Sequence, residues 1–104
     1  MARTAKSTIA TKEMSDRLYD AILTLKTKEE CYNFFQDLCT ISELRSMEQR
    51  YEVAVLLDSG MIYSDILAQT GASSATISRV NRSLISGTGG YELVLERMKE
   101  QEQK

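Results

Sequence analysis

The stretch from Ser64 to Leu84, SDILAQTGASSATISRVNRSL, leaves a chain of this kind little choice of fold. Its apolar residues recur at helical intervals on both sides of a glycine: Ile66 and Leu67 before Gly71, and Ile77, Val80 and Leu84 after it. The spacing predicts a helix-turn-helix over 64–84, with Ser64 capping a short first helix, Gly71 supplying the turn and Ser74 capping the second helix. With Ile77, Val80 and Leu84 facing inward, Ala75, Ser78, Arg79 and Arg82 fall on or near the other side. Short polar groups near a helix N-terminus suit base edges in a major groove, and arginines farther along suit phosphates. The same spacing also fits a helical hairpin in any all-α core.

With 104 residues the chain has room for one core, and an apolar content of 42% is enough to fill it. Proline is absent and strand-like alternation nearly so, which favours an all-α class. Histidine is absent too, so catalysis or metal ligation by imidazole is excluded. No glycine-rich phosphate loop and no nucleophile beside a base is found. Glu43, Glu48 and Glu52 are explained as a solvated helix side, so no enzyme, cofactor or metal is expected. Cys31 and Cys39 are too far apart for a C-x-x-C motif and are expected as reduced, mostly buried thiols. Without a run of about 18 apolar residues or a secretory h-region, a cytoplasmic location and no membrane partner are expected.

The formal net charge of −2 argues against diffuse attraction to nucleic acid, but its distribution is uneven. Arg79 and Arg82 share the second hairpin helix with no acid, and residues 1–17 hold Arg3, Lys6, Lys12 and Arg17 against Glu13 and Asp16. Residues 1–11 are expected to be a flexible basic arm, 12–98 a single helical domain and 99–104 a polar tail. Met14, Leu18, Ala21, Ile22 and Leu25 mark a first helix. Thr27 with Glu30 has capping-box spacing for a second, whose Phe34 and Phe35 should supply much of the burial. Thr40 with Glu43 repeats that spacing before a long third helix that turns Leu44, Met47, Tyr51, Ala54, Val55 and Leu57 inward, broadened by Val53 and Leu56, and ends at Gly60. Gly87, Gly89 and Gly90 precede a last helix marked by Tyr91, Val94, Leu95 and Met98. So many short amphipathic helices leave apolar surface over, and a second copy of the chain is the simplest partner to cover it.

Leu38-Cys39-Thr40 leading into Ser42-Glu43, then Arg50, then Gly71-Ala72, Ala75-Thr76-Ile77-Ser78-Arg79 and Ser83-Leu84 together resemble the Trp repressor family, and more closely its YerC/YecD-type members. In helix order the likeness runs over residues 14–98, and it is dense over 60–84. The resemblance implies an all-α fold of six helices per chain in an intertwined homodimer, with a helix-turn-helix projecting from each side. It implies a cytoplasmic transcriptional regulator, a repressor, that reads a palindromic operator in double-stranded DNA. The Trp repressor is itself a standard example of this docking geometry and of water-mediated base contact, so neither follows from the spacing.

The DNA-binding candidates are Ser73, Ser74, Ala75, Thr76, Ser78, Arg79 and Arg82. For the serines and Ala75, base or phosphate contact stands beside helix capping and plain solvation. Thr40, Arg50, Arg79 and Ser83 fall at positions similar to the family's tryptophan-pocket residues, which implies an effector site. Val80, however, stands where the Trp repressor has a glycine close to the ligand, and a branched side chain there could fill the indole space. The segment from Gly60 to Gly71 is also one residue shorter than the family's. An effector-free repressor or another small-molecule effector is therefore expected rather than tryptophan. Arg79 keeps three roles, phosphate contact, effector carboxylate and surface ion pair, in that order. Leu67 stands where a small residue usually lets the two hairpin helices approach, and Ala68 could take over that contact. The alternatives are a protein-interaction module on the same scaffold, or DNA-binding replication control, since the DNA-binding domain of the initiator DnaA shares this helical class.

Overall fold

The computed structural model describes residues 3–103, with side chains from residue 12 onward. The described residues form six helices: α1 (Arg3–Ile22), α2 (Lys28–Leu38), α3 (Ile41–Asp58), α4 (Tyr63–Thr70), α5 (Ser74–Ser86) and α6 (Gly90–Glu102). They divide into two compact units, one through Thr40 and one from Ile41 onward. The backbone of α1 is helical from Arg3, ahead of the expected start at Lys12. The side chains of the expected basic arm lie outside the described residues.

In the first unit, Thr27 caps α2 by accepting the N–H of Glu30 at 3.1 Å. The carboxylate of Glu30 reaches back to the N–H of Lys26 at 2.8 Å, one residue earlier than a standard capping box. Phe34 and Phe35 meet edge to face, with centroids 5.5 Å apart and planes at 75°. Contrary to expectation, α2 buries no residue fully: both phenylalanines are half-buried. The thiols depart in the same way, Cys31 being exposed and Cys39 half-buried, both free. Among the described residues α1 and α2 share no packed face, so their apolar stripes find no common core in this unit.

The second unit holds a packed core. Val53, Ala54 and Leu56 of α3 meet Ile66 of α4, Ala72 of the turn, and Ile77 and Val80 of α5, with Leu57, Met61, Leu84 and Tyr91 packed around them. The residues expected only to broaden the apolar side of α3 are thus its most buried. The neighbouring stripe of Leu44, Met47, Tyr51 and Val55 is half-covered at best, because α4 and α5 pack on the C-terminal half of α3.

Gly60, at φ +91°, ends α3 as expected. The Met61 N–H donates to Leu56 C=O and the Gly60 N–H to Leu57 C=O, a Schellman pair that leads the chain into α4. The last helix continues through the expected polar tail to Glu102. It buries Leu95, and Lys99 pairs with Asp58 at the end of α3 at 2.7 Å.

Candidate nucleic-acid interface

The geometry of α5 follows from how its start is built. Thr70 ends α4, and its hydroxyl donates to Ile66 C=O at 2.7 Å while accepting the Ala72 N–H at 3.1 Å. Gln49 of α3 donates from its side-chain amide to Thr70 C=O at 3.2 Å. Gly71 then turns the chain in the left-handed region at φ +74°, a conformation that costs a side-chain-bearing residue about 1 kcal/mol or more. The Thr70 C=O and the N–H groups of Gly71 and Ala72 are therefore tied down where the chain turns into α5. Sequence reasoning found Gly71 but missed Gln49 and Thr70, since an amide and a hydroxyl that bond to backbone leave no periodic trace.

Two caps differ from those expected. Ile62, not Ser64, stands at the N-cap of α4, and no side chain caps it. Ser73, not Ser74, caps α5: its oxygen accepts the Thr76 N–H at 3.1 Å, and the two hydroxyls are hydrogen-bonded to each other at 3.1 Å. The hydroxyls of Ser73 and Thr76 are thus engaged at the helix start. Ser74, Ala75 and Ser78 remain exposed beside them. Between α4 and α5 it is Ile66 and Ala72 that are buried, while Leu67 and Ala68 are both exposed.

The two sides of α5 are sharply different. Ile77 and Val80 are buried in the core and Leu84 packs against it. Advancing 100° per residue, Ala75, Arg79, Arg82 and Ser86 project from the opposite side with Ser83 at its edge, and all five are exposed. No acid lies on the helix. Among the described residues neither Arg79 nor Arg82 has an ion-pair or hydrogen-bond partner, so both guanidinium charges face solvent uncompensated.

Of the expected effector residues, Thr40 belongs to the first unit; Arg50, half-buried on α3, and Arg79 and Ser83 on α5 belong to the second. Ser83 lies between two depressions. One is apolar, with Tyr51, Gly87, Tyr91 and Val94; the other holds Arg79, Arg82, Ser86 and Gly87. Arg50 lines neither. Val80 is 2% exposed and packs in the core cluster with Val53, Ala54 and Ile77, so its branched side chain does occupy interior space.

Residues 13–99 match the family model described as Trp repressor protein. The uncharacterised YerC protein of Bacillus subtilis (strain 168) is 55% identical over 87 residues, 84% of each chain. A solved structure from Staphylococcus aureus, described as a candidate Trp repressor, is 50% identical with a TM-score of 0.81, covering 84% of this chain and 87% of its own. A TrpR-like protein of Eubacterium eligens ATCC 27750 is 52% identical, also with a TM-score of 0.81, over 84% of this chain and 90% of that one.

Proposed function

The chain belongs to the Trp repressor family, and from that premise we propose that α4 and α5 form a helix-turn-helix that reads double-stranded DNA as the head of a homodimeric repressor. A DNA-binding regulatory role in general comes with the family. The observation that carries the finer reading is the two-sided α5, locked to α3 by Ile77 and Val80 while its outer side presents small residues, hydroxyls and two unpaired arginines, with the exposed Ile85 at its edge. Ser74, Ala75 and Ser78 would lie along base edges, Ser73 and Thr76 would hold the helix start in shape, and Arg79 and Arg82 would take phosphates.

A second copy supplies the symmetry such reading needs. Leu23 at 82% exposure and Ile41 at 75% are apolar residues that a monomer leaves in water, and α6 exposes Leu93, Val94 and Met98 besides. Burying a leucine is worth about 1.5–3 kcal/mol, so covering several of these residues offsets the cost of association. Two heads related by a twofold axis would meet successive major grooves about 34–36 Å apart on a palindromic operator.

Tryptophan is not required in this reading. Val80 fills interior space, and in this reading Arg79 takes a phosphate rather than an effector carboxylate. The protein binds its operator without effector, or with a different small molecule.

Gel shifts with genomic fragments test the proposal. With Arg79, Arg82 and one or two arm residues per chain neutralising phosphate, roughly 6–8 contacts per dimer give a slope of log affinity against log salt of about −5 to −7. The double variant Arg79→Ala/Arg82→Ala should flatten that slope by about 3 to 4. Equal binding by wild type and double variant at low salt would refute it.

A further inference from the structure

The end of α3, the C-terminal half of α5 and the middle of α6 enclose an open groove of about 580 Å³. Part of its lining is apolar: Leu95 is buried, Leu57 and Leu84 are half-buried, and Ile85 stands 76% exposed. Three carboxylates, those of Asp58, Glu92 and Glu96, share that lining with the single ammonium of Lys99. Lys99 is taken by Asp58 at 2.7 Å. Glu92 and Glu96 lie one turn apart on α6, about 6 Å, and among the described residues neither has an ion-pair partner. Like charges at that spacing repel each other, so the groove suits an occupant that brings two cations and one apolar group.

The chain itself carries such a segment. Residues 1–12 hold Arg3, Lys6 and Lys12 without an acid, and no other acid-free stretch of the sequence holds three cations. With the backbone of α1 helical from Arg3, an advance of 100° per residue puts the positions of Lys6 and Lys12 about 60° to either side of Ile9. One isoleucine between two lysines complements an apolar lining beside two free carboxylates.

We propose that this groove is the docking site for residues 6–12 of the chain, with Ile9 on its apolar lining and Lys6 and Lys12 on Glu92 and Glu96. The docking stands on the groove and the segment alone. Its consequence rests on the DNA-reading proposal above: lysines held by the groove are withheld from phosphates, so DNA and the groove compete for the same segment.

The test uses the isotope-labelled full chain without DNA, read by the backbone amide signals of Ile85, Glu92, Leu95 and Glu96, so a failure of DNA reading leaves its result unaffected. Lys6→Glu/Lys12→Glu should move these signals, although both changes lie outside the unit that forms the groove. A synthetic peptide of residues 1–12, added to that variant, should return them saturably to their wild-type positions. The same peptide carrying Ile9→Ser, or Lys6→Glu/Lys12→Glu, should bind at least about tenfold more weakly. Glu92→Lys/Glu96→Lys should invert the preference, taking the charge-reversed peptide over the wild-type one. Groove signals that are the same in wild type and Lys6→Glu/Lys12→Glu, or a wild-type peptide that binds that variant no better than its charge-reversed form, would overturn the proposal.

Discussion

In the second unit Val53, Ala54, Ile66 and Ile77 are completely buried, whereas in the first unit α2 buries nothing and Leu23 stands 82% exposed. Both units are built from amphipathic helices, so the difference is not one of helix formation. It lies in how many helices share a core. Three helices and a tight turn close around the end of α3, while a pair of helices cannot close around anything. The contrast fits the proposed division of tasks, with the core of the second unit as a rigid head and the exposed apolar residues of the first unit, together with Ile41 and those of α6, as surface for association.

The largest expected effect comes from breaking the rigid side of that contrast. Ile77→Ala removes a fully buried side chain in the middle of the core and should cost about 2–5 kcal/mol, measured by denaturant unfolding and present at every protein concentration. The complementary change is Leu23→Ser in the first unit. It should leave helix content unchanged yet raise the dimer dissociation constant at least about tenfold, since burying a leucine is worth about 1.5–3 kcal/mol. Its melting temperature should depend on protein concentration far more than that of wild type. If Leu23→Ser behaves like Ile77→Ala, the two units do not divide the tasks as argued.

Smaller effects sharpen the boundary of the head. Ser73→Ala removes the cap of α5 and should cost about 1 kcal/mol, whereas Ser74→Ala should leave stability nearly unchanged. The smallest effect concerns the tie between α6 and α3. The hydrogen bond and charge of Asp58 raise the pKa of Lys99 above the ordinary lysine value. Because the folded value is the higher one, this contribution is complete below the ordinary lysine range and is lost as pH rises through the raised value. The melting temperature of wild type should therefore fall slightly more steeply in strong alkali than that of Lys99→Met.

Much of the head was legible in the sequence. Ile77, Val80 and Leu84 repeat at intervals that only a helix brings to one side, and Gly60 and Gly71 stand where the left-handed turns occur. The caps were harder to read, because adjacent serines offer the same hydroxyl and only backbone geometry chooses Ser73 over Ser74. The inward side of α3 was misjudged for a related reason: two apolar stripes adjoin on it, and periodicity cannot say which one α4 and α5 will cover. Phe34 and Phe35 show the same limit from the other direction, since aromatic residues on a helix announce a partner without naming it. In the candidate interface the arginines stood out by the absence of neighbouring acids. Gln49 and Thr70, which hold the turn, did not, because their contribution is three hydrogen bonds between side chain and backbone, one across 21 residues and two within one helical turn.

In the proposed function the outer side of α5 reads DNA from a twofold-symmetric dimer. Selection of bound duplexes from a random pool by the full chain, without and with tryptophan, tests it most directly. The expected result is a palindrome whose half-site centres lie about 10–10.5 base pairs apart, enriched equally in both conditions and lost with Arg79→Ala/Arg82→Ala. Failure to enrich any sequence, or enrichment of the same sequence by the double variant, would contradict the account.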